Sequence, residues 1–265
     1  MKIGYACVNK TLLNEGVQYS ELEGMFKILK WNVSKGIKMY RINNAISQHP
    51  EPKLLEEIGK FIKENDIKVS FHTDLTCVLS SLKPVVVHFS ISHLEKLSEI
   101  MDMMNLEAAP CYKINTHIGS YKPEKEECAD RFINNFMHLS KNCQQRITIE
   151  NDDKAGGFTV KDLYHMVYLG TGTPIVFDYF HHFLNPGDLS EEEALKLAKV
   201  TWGDLTPTVH YADSRKIYED STVKSNMHAD YIYQKIQTYG LDLDIMIESH
   251  GKELALLQYQ EKFMI

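Results

Sequence analysis

The sequence lacks the features that would mark a membrane or disulfide-bonded protein. No apolar run approaches the roughly 18 residues of a spanning helix, and the start, MKIGYACVNK, has no apolar segment before a small-residue cleavage site. The five cysteines, at positions 7, 77, 111, 128 and 143, are odd in number and form no CxxC pair. We therefore expect no membrane association and a reducing compartment, which is the cytoplasm, with the nucleoid or a eukaryotic nucleus as the place of action.

An excess of positive charge is also absent. The 29 Lys and Arg residues are outnumbered by 36 Asp and Glu residues, so the formal net charge is −7. Broad binding to nucleic acid is unexpected for such a chain unless positive charge is local or supplied by metal ions. Hydrophobic residues (43%) and charged residues (25%) are close to globular averages, which excludes disordered, collagen-like and coiled-coil chains.

Short apolar runs alternate with longer amphipathic stretches along the whole chain. The apolar runs predict eight strands, at Ile3–Val8, Met39–Ile42, Val69–His72, Lys113–His117, Ile147–Glu150, Ile175–Asp178, Val209–Tyr211 and Leu243–Glu248. The other stretches predict eight helices, at Leu22–Ser34, Pro52–Asn65, Val86–Met104, Lys125–Lys141, Val160–Leu169, Ser190–Val200, Tyr231–Tyr239 and Lys252–Phe263.

No Pro-, Gly- or Ser-rich linker divides these elements. Eight βα units in an unbroken chain predict one α/β domain over residues 1–265, a closed (β/α)₈ barrel. An open doubly wound sheet is the alternative, because the second and seventh strands are short.

Six consecutive predicted strands end in, or carry near their ends, residues that bind metals. These residues are His72, His117, Glu150, Asp178, His210 and Glu248. In a barrel the carboxyl ends of all strands open onto one face, which is where the active site lies. His, Asp and Glu are fewer than one residue in five, so this succession is improbable by chance, although any single one of these histidines would more often be a hydrogen-bonded core residue.

The mixture of ligands indicates the chemistry. Imidazoles and carboxylates without thiolates suit Mn²⁺, our first expectation, or Zn²⁺. Glu150, Asp178 and Glu248 supply oxygens that can bridge ions, so we expect two or three divalent ions and assign these three residues as catalytic. Such a cluster is typical of phosphodiester hydrolysis. No Walker, GxGxxG or Ser-His-Asp signature competes with this interpretation.

Two other loops offer further ligands. In FDYFHH, either His181 or His182 can return from the loop after Asp178 to the site. In NMHADYI, His228 precedes the last βα unit and can add a ligand from the seventh loop.

Several segments resemble the UV damage endonuclease family, a group of TIM barrels related to endonuclease IV. They are IGYACVN, YRIN, VSFH, THIGSYKPEK, IENDDK, VFDYFHH, LTPTVHYAD, HADYI and DLDIMIESHGKEL, and the match runs from Ile3 to about Leu257. The resemblance implies a metal-dependent DNA repair endonuclease that nicks damaged double-stranded DNA on the 5′ side of ultraviolet photolesions. It implies no protein partner.

Carried over by position, the resemblance favours His181 over His182 as a ligand and includes His228. It also implies that Tyr5 and Asn9 face the DNA. Local positive charge for DNA would come from Lys122, Lys125, Arg215, Lys216 and Lys224.

The chain departs from the family pattern at two expected ligand positions. Leu97 aligns with a ligand histidine, and Thr208 aligns with a ligand lysine two residues before His210. His93, one helical turn before Leu97, is a candidate substitute. These departures fit a divergent family member with one weakened metal site.

Two other functions stay open at this point. A sugar isomerase or epimerase would use the same barrel and metals for proton transfer, although such sites usually carry a catalytic lysine or paired glutamates. A barrel that binds lesions without cutting would fit the departures at Leu97 and Thr208.

Overall fold

Eight parallel strands close into a barrel in the computed structural model, which describes residues 1–119 and 123–264. Each strand pairs with its neighbours in chain order, and β8 pairs with β1. The strands β1 to β8 span Ile3–Ala6, Met39–Arg41, Lys68–His72, Lys113–Thr116, Ile147–Glu150, Ile175–Asp178, Thr208–Tyr211 and Asp244–Ile247. The predicted (β/α)₈ barrel is therefore confirmed, and the open sheet is excluded.

The predicted strands agree with these bounds to within two residues at either end. Most strand residues are buried, because helices cover the outside of the barrel and side chains fill its interior. The register brings the carboxyl ends to a common level, so that Asp178 of β6 lies opposite His210 of β7.

Helices follow the strands around the outside of the barrel. Helices α1 to α6 span Lys10–Asn14, Leu22–Ser34, Pro52–Glu64, Pro84–Met103, Lys125–Phe136 and Lys141–Arg146. Helices α7 to α12 span Val160–Asp162, Leu169–Thr171, Tyr179–Leu184, Glu191–Val200, Arg215–Tyr218 and Glu253–Phe263. A 3₁₀ turn spans Asn44–Gln48, and a π-helical segment, Leu163–Tyr168, joins α7 to α8. The predicted helix over Lys125–Lys141 ends early, since Ser140 caps the separate helix α6.

The predicted helix over Tyr231–Tyr239 is wrong. Ile232 and Ile236 are buried at helical spacing, which produced the prediction. In the structure the Asp213 carboxylate instead accepts a hydrogen bond from the backbone N–H of Tyr233 at 2.7 Å and from the next N–H at 3.3 Å. These two donors are held by a buried carboxylate, and residues 231–239 form no helix in the structure.

The apolar core lies between the strands and the inner faces of the helices. On α3, for example, Leu55, Ile58 and Ile62 are fully buried at a spacing of three and four residues, as an amphipathic helix requires. Within the described part of the chain, no helix is both long enough and apolar enough to cross a membrane.

Candidate metal centre

Glu150, the last residue of β5, lies at the centre of the carboxyl face and is 1% exposed. Its Oε2 is 3.2 Å from His72 Nε2 and 3.0 Å from His210 Nδ1. Its Oε1 is 3.2 Å from His181 Nδ1 and 3.9 Å from His117 Nε2. Side chains from five βα units therefore meet at one carboxylate.

Two further carboxylates extend this arrangement. Glu248, directly after β8, places Oε1 3.0 Å from His210 Nδ1 and pairs with the guanidinium of Arg41. Asp178, at the end of β6, accepts a hydrogen bond from the backbone N–H of His181 at 2.7 Å through Oδ1. One oxygen of Asp178 thus caps α9, while its other oxygen, Oδ2, is left for a ligand.

The residues form three overlapping groups whose candidate ligand atoms lie within 4.8 Å of one another. They are His72–His117–Glu150, Glu150–Asp178–His181 and Asp178–His210–Glu248. Glu150 and Asp178 each belong to two groups, which is the arrangement that bridging carboxylates require.

Buried polar atoms without a hydrogen bond fit a site for metal ions. Glu150 Oε1, Asp178 Oδ2 and His210 Nδ1 are buried and have no well-formed hydrogen bond among the described residues, although ion-pair contacts surround Glu150 and His210. Such atoms cost free energy, and divalent cations held by the three groups would supply partners for them. Oxygen and imidazole donors without thiolates suit Mn²⁺ and Zn²⁺.

The charges of the cluster shift the pKa values of its carboxyl groups. Burial would raise the pKa of Glu150, but His210 and His117 outweigh burial and hold this pKa well below its ordinary value. Burial is likewise outweighed at Glu248, where Arg41 and His210 hold the pKa well below its ordinary value. At Asp178 burial prevails over His181 and, with the neighbouring charge of Glu150, raises the pKa.

The carboxylates and burial together shift the pKa values of the histidines. Burial would lower the pKa of His210, but the carboxylates of Glu150 and Glu248 raise it to about 9. Asp178 and Glu150 similarly overcome burial at His181 and hold its pKa well above the ordinary value. At His72 burial dominates and the pKa is lowered. Because a metal ligand must be deprotonated, binding an ion at His210 would displace a proton.

A backbone carbonyl and a carboxylate orient two of the candidate histidine ligands through the Nδ1 atoms of their rings. His72 Nδ1 lies 2.9 Å from the carbonyl of Thr73, and an Nδ1–H donor there leaves Nε2 free for an ion. His117 Nδ1 lies 3.0 Å from a carboxylate oxygen of Asp152. The Glu150 carboxylate is oriented in a similar way, because the Asn115 amide donates a hydrogen bond to it.

The sequence reasoning did not single out these supporting residues. Asn115 is on β4 and precedes His117, which follows the strand directly, by two positions, so strand alternation was a usable signal that both face the barrel interior. Arg41 and Asp152 lie inside the segments YRIN and IENDDK, yet no spacing rule on its own marks them as partners of the cluster.

His181 and His182 occupy different environments. His181 belongs to one of the three ligand groups, as the resemblance favours. His182 is 5% exposed and packs on the ring of Phe177 at a centroid distance of 5.3 Å. His228 lies outside the three groups, and its Nδ1 is 3.0 Å from the backbone carbonyl of Glu248. A ligand role for His228 therefore stays a prediction.

Tyr5 and Asn9 do not face an accessible surface. Tyr5 is 0% and Asn9 1% exposed. The Tyr5 hydroxyl donates to Asn32 Oδ1 at 2.7 Å and accepts from Asn9 Nδ2 at 2.8 Å. Asn9 Oδ1 caps α1 by accepting from the N–H of Leu12. Both side chains are used in packing and capping, and their contact with DNA stays a prediction.

Leu97 and Thr208 have other contacts in the structure. Leu97, on the inner face of α4, is fully buried in the apolar core, so a histidine at this position would not join the cluster. Thr208, at the start of β7, is 2% exposed and accepts a hydrogen bond from Lys113. His93 lines a cavity next to His72 and is not in a ligand group. The alignment of a family ligand with Leu97 is therefore wrong.

The cations expected to contact DNA are partly neutralised. Lys125 pairs with Asp162 at 2.5 Å, and Arg215 lies 3.8 Å from Glu219. Lys216 and Lys224 are exposed. Lys122 lies outside the described residues.

Known proteins resemble this chain in both sequence and fold. The family model described as UV-endonuclease UvdE matches residues 8–264. The chain belongs to the UvdE family. A UV DNA damage endonuclease of Bacillus cereus (strain Q1) is 30% identical over 265 residues, which cover 92% of this chain and 80% of that protein. The protein of the same name from Bacillus mycoides (strain KBAB4) is also 30% identical, with 91% and 80% covered. The resemblance inferred from the motifs is confirmed.

Two solved structures resemble this chain, and one of them is a member of the UvdE family by its name. The crystal structure of SacUVDE superposes with a TM-score of 0.84 at 30% identity, covering 100% of this chain and 99% of that one. A D-psicose 3-epimerase from Clostridium cellulolyticum H10 superposes with a TM-score of 0.66 at 12% identity, covering 94% and 85%. The epimerase likeness shows the fold alone.

Proposed function

We propose that this protein is a metal-dependent DNA repair endonuclease that nicks duplex DNA on the 5′ side of ultraviolet photolesions by hydrolysing a phosphodiester. The observation that carries the proposal is the sharing of Glu150 and Asp178 between adjacent ligand groups at the carboxyl face of the barrel. Membership of the UvdE family supplies the substrate class.

The residues of the cluster would hold two or three divalent ions, with Mn²⁺ as the expected ion and Zn²⁺ as the alternative. When bound, such ions generate a nucleophile from water, polarise the phosphoryl group and stabilise the leaving alkoxide. Glu150 and Glu248 contribute negative charge, since both have pKa values held well below the ordinary range. Asn115 and Asp152 fix the positions of Glu150 and His117.

An exposed apolar side chain that closely follows His72 in the chain fits a role in distorting DNA. Leu75 is 89% exposed and lies in a turn three residues after His72. Proteins that kink DNA insert such side chains between base steps, and an enzyme that acts on a lesion must move it out of the stack. Leu75 would therefore enter the duplex and bring the photolesion towards the ligand groups.

Mapping the cut on a defined substrate tests the proposal. A duplex with one photolesion at a known position is labelled at the 5′ end of the damaged strand and incubated with the protein and Mn²⁺. We expect one labelled product that ends on the 5′ side of the lesion. Binding without a product would favour a barrel that only recognises lesions, and a product from an undamaged duplex would contradict the proposed specificity.

A further inference from the structure

A small cavity of about 160 Å³ lies between α9 and the segment that follows β7. Five aromatic residues line it, and they are Tyr179, Phe180, Phe183, Tyr211 and Tyr218. None of the residues that line the cavity belongs to the three ligand groups of the metal centre. The volume is below the range of about 300–1,000 Å³ that is usual for drug-sized ligands, so the cavity suits a small group rather than a nucleotide.

The aromatic residues offer ring surface rather than free hydroxyl groups. The Tyr179 hydroxyl donates to the carbonyl of Gln237 at 2.7 Å, and the Tyr211 hydroxyl donates to Asp213 Oδ1 at 3.1 Å. Phe183 is 59% exposed, so the cavity is open to solvent on this side. Aromatic rings attract organic cations through their negative faces, and several rings around one cavity strengthen this preference.

Asp213 places a buried carboxylate in the wall of the cavity. Its side chain accepts hydrogen bonds from Tyr211 and from the backbone N–H of Tyr233, but it forms no ion pair among the described residues. The residue is 5% exposed, and burial raises the pKa of its carboxyl group. A buried carboxylate without a cation is costly, so this position favours a ligand that brings a positive charge.

A second carboxylate lines the same cavity. Glu191, in the first turn of α10, accepts a hydrogen bond from the Tyr239 hydroxyl at 2.8 Å. Lys235 also lines the cavity, but it is exposed and forms no ion pair with Asp213 or Glu191. Among the lining residues that the structure describes, only Lys235 opposes a cationic ligand.

We propose that this cavity binds an alkylammonium group, with Asp213 and Glu191 as its charge partners and with the surrounding rings as its apolar contacts. Small diamines and polyamines carry this group, and so does a lysine side chain of another protein. A sugar, a nucleobase or a phosphate brings no positive charge and would leave the Asp213 carboxylate without a cation. The site lies outside the ligand groups, and the proposal does not depend on the proposed function.

Calorimetric titration of the full chain tests the proposal. The probe is 1,4-diaminobutane at about pH 8, where amines are charged and carboxyl groups are ionised, and butane-1,4-diol is the matched uncharged molecule. Nα-acetyl-lysine amide is titrated in parallel, because tighter binding of the diamine indicates a free amine and tighter binding of the lysine amide indicates a side chain.

Two pairs of variants separate the cavity from the rest of the surface. Glu191→Gln removes a charge that lines the cavity, and Glu192→Gln makes the same change at the next residue, outside the lining. Phe183→Leu removes a ring of the cavity, and Phe89→Leu does so at a 49% exposed phenylalanine elsewhere. Lys235→Met removes the opposing cation.

We expect Glu191→Gln to bind the diamine about tenfold more weakly and Phe183→Leu about threefold more weakly, while both control variants behave like the wild type. Lys235→Met should bind the diamine more tightly, because a like charge is gone. Equal affinities of Glu191→Gln and Glu192→Gln would overturn the proposal. It would also be overturned if the diol bound as tightly as the diamine, or if the wild type bound neither the diamine nor the lysine amide.

Discussion

Lys113 Nζ, from the start of β4, donates a hydrogen bond to Thr208 Oγ1 of β7 at 2.9 Å across the barrel interior. Both residues are buried, at 1% and 2% exposure. An amine therefore does reach position 208, where the family pattern has a lysine, but it comes from another strand. Burial, followed by the positive charge of Lys68, lowers the pKa of Lys113 to about 7.

The pKa of Lys113 predicts how stability depends on pH. In the unfolded chain a lysine titrates near 10.4, so between about pH 7 and 10 the unfolded state binds more protons than the folded state. The free energy of unfolding should therefore rise with pH through this window, by at most about 1.4 kcal/mol per unit from this residue. Lys113→Met should remove that slope and be the more stable form at pH 7.

Denaturant unfolding at pH 7, 8 and 9 measures the effect. Lys53→Met is the matched control, because Lys53 is exposed at the surface of α3. Equal pH slopes for Lys113→Met and the wild type would show that the amine is not neutral in the folded state.

Leu97→His should destabilise the protein without adding a metal ligand. Leu97 is 0% exposed in the apolar core, and an imidazole there would lose apolar packing and lack a hydrogen-bond partner. We expect a loss of about 2–5 kcal/mol in the free energy of unfolding and an unchanged number of bound ions per folded chain. Thermal unfolding and elemental analysis check this. An additional ion in the variant would contradict this prediction and would support the alignment of Leu97 with a ligand histidine of the family.

Asn115→Leu should weaken the metal centre. The Asn115 amide donates to Glu150 Oε2 and its oxygen accepts from Thr148 at 2.8 Å, so it fixes the central carboxylate. Removing a residue that hydrogen-bonds a metal ligand typically lowers metal affinity by about 10–100-fold. Calorimetric titration of metal-free protein with Mn²⁺ measures the change, with Thr148→Val as the control that keeps the bond to Glu150. Unaltered affinity would mean that the hydrogen bond does not orient Glu150.

DNA binding should weaken steeply with salt despite the net charge of −7. Contacts between lysine or arginine and phosphate release counterions, so each contact contributes about −0.9 to the slope of log affinity against log salt concentration. Fluorescence anisotropy between about 50 and 200 mM salt measures this slope. Binding that barely changes over the range would favour a small-molecule substrate.

The sequence predicted the barrel well because its signal is local. Each strand is a short apolar run, and polar residues such as Glu150 and Asp178 stand where the strand ends. Strand ends meet at one face by topology alone, so six of the candidate ligands could be placed together without knowing any distance. The helix predicted at Tyr231–Tyr239 is absent, and its first-turn N–H groups instead meet the carboxylate of Asp213, a contact that helical spacing does not indicate.

Contacts between distant elements could not be predicted in this way. The partner of Thr208 is 95 residues away, and the pairing of Arg41 with Glu248 spans 207 residues. Leu97 was misassigned because its alignment placed a family ligand on a helix whose inner face packs in the core. Tyr5 and Asn9 hydrogen-bond each other, which no spacing rule indicates.

Metal-dependent nicking of damaged DNA is the central claim, and one assay tests it most directly. Ultraviolet-irradiated and unirradiated duplexes are incubated with wild-type protein or Glu150→Gln, first with Mn²⁺ and then with excess chelator, and single-strand nicks are counted. Because an amide at position 150 cannot bridge ions, we expect nicks only in irradiated DNA, only with Mn²⁺, and below about a tenth of the wild-type rate in Glu150→Gln. Nicking that persists in chelator, or a Glu150→Gln protein as active as the wild type, would contradict the account.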